Sequence, residues 1–390
     1  MNPFDAALNR QLEDLREQGL HRELRRVDSA QGPRIEIGGK TLLNFSSNDY
    51  LGLASHPVLK EAAIKAVEKF GAGAGASRLI CGSLAPFHEL EEALAAFKGT
   101  GAALTFSTGY AAALGTITAI CGKDDIIIVD KLVHACIVDA AKLSGAKLRV
   151  FDHNDLNDLE KILKWAGKNI QHPTSNIQQR ARVLIVTESI FSMDGDAAPL
   201  REIVALKETY GAWLMVDEAH ATGLYGKTGR GMADEFGVSG RIEIQMGTLG
   251  KALGASGGYI CGSRPLIDLL VHRARSFIFS TAPVPAAAAA ATAGIKMVQS
   301  TKGEQRRSLL RQLVNQFEVT STSAIIPLII GDEIKAVELA TKLREQNIFI
   351  PAIRYPTVAR GSARLRVTLT ASHTPEDVTE LQAALKIFNP

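Results

Sequence analysis

Cysteine is scarce in this 390-residue chain. The four thiols, Cys81, Cys121, Cys136 and Cys261, are far apart, and no two of them have the spacing of a metal site. So few thiols in a large chain predict a reduced, cytoplasmic protein.

Long apolar runs are also missing. The first eighteen residues contain Asp5, Glu13, Asp14 and Glu17, which interrupt the apolar stretch that a secretory signal needs. The most apolar long run, Ala282–Gly294, is mainly alanine, contains two prolines and is too short to span a bilayer. We therefore expect neither a signal peptide nor a membrane partner.

Neither sign of charge is in large excess. The 44 basic and 41 acidic residues leave a net charge of +3, which does not support nucleic acid or an anionic membrane as the main partner. The basic run His21–Arg26 is interpreted as the solvated face of a helix. The content of 46% hydrophobic and 22% charged residues is typical of a soluble globular protein, and 390 residues suit two or more lobes.

Short apolar runs alternate with helical patterns through the first two thirds of the chain. One such helical stretch is Pro86–Phe97, which carries Leu90, Leu94 and Phe97 on one face. Seven runs are predicted to be strands: Ala102–Phe106, Asp125–Asp130, Lys147–Phe151, Arg182–Glu188, Ala212–Asp217, Ile242–Gly247 and Gly258–Cys261. This alternation predicts an α/β domain with a mostly parallel seven-stranded sheet.

The two ends of the chain have a different pattern. An amphipathic helix is predicted over Asp5–Arg26, followed by a strand pair within Arg34–Phe45. After about Pro283 the pattern becomes a long helix and then a smaller α+β lobe, with strands at Ala324–Ile330, Ile348–Ile350 and Arg364–Leu369 and a closing helix. We therefore divide the chain into an N-terminal arm (1–45), a large domain (46–283) and a small C-terminal domain (284–390).

Ligands of open α/β sheets bind beyond the carboxyl ends of the strands, so the residues that follow each run are candidate site residues. Ser107–Tyr110 follows the first run and precedes an alanine-rich helix, whose free N–H groups could bind an anion. A plain strand–turn–helix connection is the alternative. Ser192–Asp196 follows the fourth run and could equally be no more than a turn.

Two further strand ends carry reactive side chains. Asp217 and His220 follow the fifth run; a helix cap with a surface histidine is the alternative, and a metal site lacks a third ligand at useful spacing. Lys251 lies among glycines and Thr248 in an apolar stretch, where burial would make its amine nucleophilic. It could instead be a solvated charge, and the Gly-x-x-x-x-Gly-Lys-Ser/Thr phosphate loop is not matched.

Taken together, these positions fit pyridoxal 5′-phosphate (PLP). PLP needs an amine for its aldehyde, an anion beside its ring nitrogen, a donor to its ring oxygen, a flat group over the ring and a phosphate cup. Lys251, Asp217, His220 and the Ser107–Tyr110 turn with Thr248 supply nearly all of these, in a chain order that fits. His134 follows another strand and could lie over the ring.

Three motifs, Asn44–Leu53, Phe191–Asp196 and Val216–His220, resemble the α-oxoamine synthases over almost the whole chain. These are fold-type I PLP enzymes that condense an amino acid with an acyl thioester and release carbon dioxide. The resemblance implies that Lys251 bears the cofactor and that a homodimer forms. It also implies a set of cofactor contacts: Gly109, Tyr110, His134, Ser192, Asp217, His220, Thr248 and Lys251.

The resemblance also implies substrate contacts. Asn48 and Arg366 match positions that hold the amino-acid carboxylate, while Arg25 and Thr357 match acyl-substrate contacts. His134 is expected to touch the substrate as well as the ring. Lys251, His134, Asp217 and His220 form the expected catalytic set.

Three segments of the C-terminal lobe indicate which substrates the chain uses. Ser323–Asp332, Ile353–Val358 and Ala363–His373 resemble the family members of biotin biosynthesis, which join L-alanine to pimeloyl-CoA or a pimeloyl-carrier protein. Arg25 would then be a charged partner for the second carboxylate of the pimeloyl group. Tyr355 departs from the expected proline, and Arg78–Gly82 is equally similar to members that join glycine to acetyl-CoA.

Three other classes of function stay open. The same fold could carry out another PLP reaction, such as transamination or β-elimination. The chain could also be a non-catalytic partner subunit, but the presence of Lys251 with Asp217 speaks against this. A plain binding protein is the third alternative, and it would not need the whole set of residues.

Overall fold

The structure is a computed structural model, and it describes residues 2–169, 181–317 and 323–388. Contacts divide the chain into two units. The small unit comprises residues 1–50, 193–195 and 308–390, and the large unit comprises residues 51–192 and 196–307. The predicted domain limits at 45 and 283 stay a proposal, and their outer ends at 1 and 389–390 lie outside the described residues.

The described residues form thirteen strands. In chain order they are β1 (Arg34–Ile37), β2 (Lys40–Asn44), β3 (Ala102–Phe106), β4 (Ile126–Asp130), β5 (Lys147–Phe151), β6 (Val183–Glu188), β7 (Trp213–Asp217), β8 (Ile244–Thr248), β9 (Gly258–Gly262), β10 (Ile325–Gly331), β11 (Ile348–Phe349), β12 (Ala352–Ile353) and β13 (Ala363–Thr368).

Fourteen α-helices accompany these strands in the same described ranges, with a 3₁₀ turn at Ser239–Arg241. The helices are α1 (Pro3–Glu17), α2 (Pro57–Phe70), α3 (Ala85–Lys98), α4 (Gly109–Ile120), α5 (Ala135–Ser144), α6 (Leu156–Asn169), α7 (Leu200–Tyr210), α8 (Met232–Glu235), α9 (Arg264–Arg273), α10 (Arg275–Ile278), α11 (Pro285–Gln299), α12 (Thr301–Gln316), α13 (Glu333–Glu345) and α14 (Pro375–Phe388).

The large unit contains the predicted seven-stranded sheet, in the order β3-β9-β8-β7-β6-β4-β5. The five strands from β8 to β5 are parallel, and β9 runs antiparallel to both of its neighbours. Strand β4 is buried along its full length, as expected for a parallel strand covered on both faces. The prediction of a mostly parallel sheet is confirmed.

The core of the large unit lies against this sheet. Ile127 and Val129 of β4 pack in one cluster with Ile117 of α4 and Ile137 of α5, all of them at most 1% exposed. Helix α3 contributes the predicted face of Leu90, Leu94 and Phe97, each at most 1% exposed. The apolar periodicity of the sequence therefore identifies the buried faces.

The small unit contains two three-stranded sheets. Strand β2 pairs antiparallel with β1 and parallel with β11, and β13 lies between β10 and β12 with antiparallel pairing on both sides. In the same unit the ring of Phe45 stacks on His373 with 4.5 Å between the centroids. This unit is the smaller α+β lobe expected from the sequence, with the N-terminal strands included.

Two element predictions are wrong in detail. The first helix ends at Glu17 and not near Arg26, because Gly19 adopts φ +65° and the charged run after it has little apolar surface to bury. The long helix after Pro283 is two helices, α11 and α12, separated at Ser300. No helix among the described residues is long and apolar enough to cross a membrane.

Candidate active site

The parallel strands of the large unit bring four polar residues to one edge of the sheet. Strands β4, β6, β7 and β8 end at Asp130, Glu188, Asp217 and Thr248. Glu188 and Asp217 are direct partners in the strand register. The carboxyl-terminal edge of the sheet is therefore where the predicted residues meet.

Asp217 is buried at this edge, with 5% of its surface exposed. Its Oδ1 accepts a hydrogen bond of 2.9 Å from the N–H of Ala219. Burial raises the pKa of Asp217, and the nearby charge of Lys251 opposes this increase most strongly. A cation beside this carboxylate would be stabilised, as a protonated ring nitrogen requires.

Lys251 and His220 are adjacent, with 2.7 Å between Nζ and Nε2. His220 is buried, so the alternative of a surface histidine is excluded. The turn that carries Lys251 is fixed by Thr248, whose hydroxyl donates to the carbonyl of Gly257 at 2.9 Å and accepts from the N–H of Gly250 at 3.2 Å. The amine is therefore held at the end of β8 next to an imidazole.

His134 caps the start of α5, where its Nδ1 accepts from the N–H of Cys136 at 3.2 Å. Burial lowers the pKa of His134, and the charge of Asp217 opposes that shift. The histidine is therefore within electrostatic range of both Asp217 and Lys251, and its imidazole is neutral at pH 7. A neutral imidazole can stack on an aromatic ring.

The turn between β3 and α4 forms a cradle for an anion. Thr108 caps α4 by accepting from the N–H of Ala111 at 3.0 Å, which leaves the N–H groups at the start of the helix to a ligand. A methyl group on Gly109 would lie 3.9 Å from the Cβ of Thr248. A side chain on Gly258 would come within 2.5 Å of the carbonyl of Thr108, so only glycine lets β9 lie this close.

Tyr110 belongs to the same turn and is half exposed. Its hydroxyl donates a hydrogen bond to Asp139, which raises the pKa of the tyrosine. The ring is therefore tethered beside the cradle from the first turn of α4.

Glu188 is a site residue that the sequence analysis missed. It is 2% exposed, its Oε2 accepts from the N–H of Ser192 at 3.1 Å, and its Oε1 has no protein partner among the described residues. Burial, with the charge of Asp217 second, raises the pKa of Glu188 to about 8. An acid that closes an apolar strand, as Asp217 also does, is the pattern that could have identified it.

His153 binds Asp130 and Asp196 and so joins two of the loops at this edge; we call these three residues the histidine clamp. His153 lies 2.9 Å from Asp130 and 2.8 Å from Asp196, and its ring meets Phe191 edge-on at 4.4 Å between centroids. The two carboxylates outweigh partial burial and raise the pKa of His153 to about 10. The clamp therefore connects the loop before His134 to the turn that carries Ser192.

Four predicted substrate residues belong to the small unit. Arg366 donates to the side chain of Asn48 at 3.0 Å and to the hydroxyl of Thr368 at 2.8 Å. Thr357 is exposed, and its N–H donates to the carbonyl of Arg354 at 3.0 Å. Arg25 is also exposed and lines a separate pocket.

Two departures from the expected pattern have structural explanations. Tyr355 is 41% exposed, and the guanidinium of Arg360 covers its ring at 4.6 Å. Arg78 is buried; it donates to both carboxylate oxygens of Glu91 at 2.9 and 3.0 Å and lies over the ring of Phe87. Arg78 therefore anchors its loop through protein contacts.

The residues at the sheet edge fit PLP. The buried carboxylate of Asp217 suits the ring nitrogen, and the amine of Lys251 beside an imidazole suits the aldehyde. The neutral His134 suits the ring face, and the N–H groups at the start of α4 suit the phosphate. Among the described residues, no group of three or more His, Cys, Asp or Glu could hold a metal ion.

Comparison with known proteins defines the class and then the family. Residues 40–385 match the model of the family Aminotransferase class I and II. A serine palmitoyltransferase variant from S. paucimobilis, solved with a bound PLP–myriocin aldimine, is similar with a TM-score of 0.88 and 29% identity over 98% of this chain and 97% of that chain. The fold is thus that of a PLP-dependent fold-type I transferase.

Two further proteins identify the family within this class. The 8-amino-7-oxononanoate synthase of Geobacter sulfurreducens is 46% identical over 385 residues, which cover 96% of each chain. The crystal structure of the 8-amino-7-oxononanoate synthase from Francisella tularensis is similar with a TM-score of 0.71 and 30% identity, over 89% of this chain and 96% of that chain. The chain belongs to the 8-amino-7-oxononanoate synthase family. The predicted fold class, cofactor and family are confirmed, and the roles of single residues stay predictions.

Proposed function

We propose that the chain condenses L-alanine with a pimeloyl thioester to give 8-amino-7-oxononanoate, carbon dioxide and the free thiol carrier. The observation that carries the chemistry is the position of Lys251, which lies 2.7 Å from His220 and within electrostatic range of the buried Asp217. The names of the relatives support the substrates. A cytoplasmic homodimer is part of the proposal.

PLP, when bound, supplies an aldehyde that takes up an amine and a ring that accepts electrons from the amino-acid Cα. Asp217 would hold a proton at the ring nitrogen. The N–H groups at Gly109 and Tyr110, with Thr248 and Ser192, would bind the phosphate and the ring substituents. His220 would donate to the ring oxygen, and His134 would cover the ring face.

Lys251 is the base in this proposal. Its Nζ removes the proton from Cα of alanine and later returns a proton to the carbon that has lost carbon dioxide. The neighbouring imidazole of His220 keeps Nζ at the end of β8 during both transfers.

Arg366 and Asn48 bind the carboxylate of alanine. The guanidinium is 7% exposed and fixed by Asn48 and Thr368, so its planar fork is oriented before the substrate arrives. Arg25 and Thr357 contact the acyl substrate. The new carbon–carbon bond joins Cα of alanine to the thioester carbonyl, and the thiol leaves.

One assay tests the proposal. The purified protein with PLP is mixed with alanine or glycine and with pimeloyl or acetyl thioesters, and the release of thiol and carbon dioxide is followed. We expect alanine with the pimeloyl thioester to be the preferred pair and Lys251→Ala to abolish release. If glycine with acetyl-CoA is the faster pair, the substrate assignment is wrong; release of thiol without carbon dioxide would exclude the condensation.

A further inference from the structure

The small unit contains a pocket of about 460 Å³ that carries an excess of cationic side chains. It lies between the segment after α1, helix α13 and the residues around β11 and β12. The basic residues that line it are His21, Arg22, Arg25, Arg344 and Arg354, and Glu23 is the acidic residue of the lining.

Two of these arginines are held by backbone carbonyls. Arg354 donates to the carbonyls of Gly19 and His21, the second at 3.2 Å, and Arg22 donates to the carbonyl of Tyr355 at 2.8 Å. Burial lowers the pKa of Arg354, the charges of Arg22 and Arg25 lower it further, and the charge of Glu333 partly opposes them. Both guanidinium groups are therefore oriented by backbone carbonyls, which carry no net charge.

The other two arginines are available to a ligand. In the described ranges no carboxylate lies within 4.0 Å of Arg25 or Arg344, although Arg344 is half-buried. Among the described residues that line the pocket, Glu23 is the one acid against these basic side chains, so the like charges repel each other and a bound anion would reduce that cost. The chain as a whole is only +3, so this concentration of charge is a local feature of the small unit.

The geometry points to a phosphate ester as the ligand, and we propose that this pocket binds the phosphate-bearing end of the acyl carrier. A single carboxylate would neutralise one of four guanidinium groups, whereas a phosphate carries up to two charges and accepts bidentate hydrogen bonds from arginine. The inference rests on the proposed function, which requires a thiol carrier. Coenzyme A and the phosphopantetheine arm of a carrier protein share this chemistry.

Binding of CoA to the PLP-loaded protein gives the first test, because it needs no turnover. We expect calorimetry to show about tenfold weaker binding of CoA to Arg344→Gln, with unchanged binding of pantetheine, which has no phosphate. Arg344→Lys should recover part of the affinity. The control is Arg311→Gln, an exposed arginine on α12 outside the pocket, which should bind CoA like the native protein.

The second test measures turnover of three pimeloyl thioesters, those of CoA, of a carrier protein and of pantetheine. It also identifies the source of the phosphate. If Arg344→Gln raises KM for the CoA thioester or for the carrier-protein thioester, but leaves the pantetheine thioester unchanged, the proposal holds and the affected thioester names the carrier. An equal rise with pimeloyl-pantetheine would assign the pocket to the pimeloyl carboxylate and overturn the proposal. The proposal would also be overturned if Arg344→Gln bound CoA as the native protein does and had the native KM for all three thioesters. In that case continued turnover of the pimeloyl thioesters would leave the proposed function standing.

Discussion

At the scale of the residue, the central feature is a pair of buried carboxyl groups, Glu188 and Asp217, side by side on neighbouring strands. Burial raises the pKa of each, and Asp217 raises the pKa of Glu188 further. Two such acids cannot both be charged cheaply in a protein interior. Glu188, whose pKa is raised to about 8, is the one that keeps its proton at pH 7, and Asp217 is the one that the charge of Lys251 favours as the anion.

Replacing Asp217 by asparagine tests this division of roles. An amide cannot hold a proton at a pyridine nitrogen, so Asp217→Asn should keep its fold but exchange the Cα proton of alanine at least about a hundredfold more slowly. Exchange in heavy water, followed by NMR, measures this without any acyl substrate. Asp124→Asn, at an exposed position, is the control, and exchange at the native rate in Asp217→Asn would remove Asp217 from the proposed mechanism.

At the scale of the element, the clamp formed by His153 connects the ends of β4 and β5 to the turn after β6. A pKa raised to about 10 means that the cationic form of His153 stabilises the fold. That contribution is complete below pH 6.5, the ordinary pKa of histidine, and is lost as the pH rises through 10. The loops that carry His134 and Ser192 should become more mobile as this contribution is lost.

His153→Gln should therefore lower the free energy of unfolding at pH 7 by about 2 kcal/mol, because the buried Asp130 and the half-buried Asp196 lose their charged partner. Urea unfolding between pH 6 and pH 10.5 measures this. The difference from the native protein should shrink towards pH 10, and the variant should also bind PLP more weakly. His272→Gln, at an exposed position on α9, should match the native protein; a difference for His153→Gln that stays constant with pH would contradict the role of the charge.

Local pattern predicts four strands of the large unit well, since β4, β6, β7 and β8 are mainly apolar runs of five or six residues that end at a polar residue. Asp217, His220 and Lys251 were predictable because each follows such a run. Strand β12 has two residues and no pattern, so the sequence could not indicate it. The clamp joins Asp130 to His153 and Asp196, 23 and 43 residues away from the histidine, and only the order of strands in the sheet brings these residues together.

At the scale of the whole molecule, two joined loops of the large unit present apolar side chains to solvent. Residues Ser77 and Thr281 form a bridge between the loops, and Leu79, Ile80, Phe279 and Val284 are 47–79% exposed. An apolar patch of this kind is typical of a protein–protein contact. We expect it to belong to the interface of the proposed homodimer.

Light scattering should then give twice the 41.8 kDa mass of the chain. Ile80→Asp should shift the protein towards the monomer, since it would place a charge in the apolar contact. Ile387→Asp, at an exposed isoleucine of α14, should leave the mass unchanged. A native protein that runs as a monomer at micromolar concentration would refute the dimer, and a dimer unaffected by Ile80→Asp would place its interface elsewhere.

The small unit is assembled from both ends of the chain, and this has a consequence for synthesis on the ribosome. Strand β2 pairs with β11 through Leu43 and Ile348, so the hairpin of β1 and β2 emerges roughly 300 residues before its parallel partner. At about 5 to 20 residues per second the nascent chain carries this open edge for about 15 to 60 seconds. The sheet of residues 51–307 can close during that interval. The outer edge of β2 is therefore among the last strand edges to be paired, and this bare edge is the part of the nascent protein that a chaperone would need to shield.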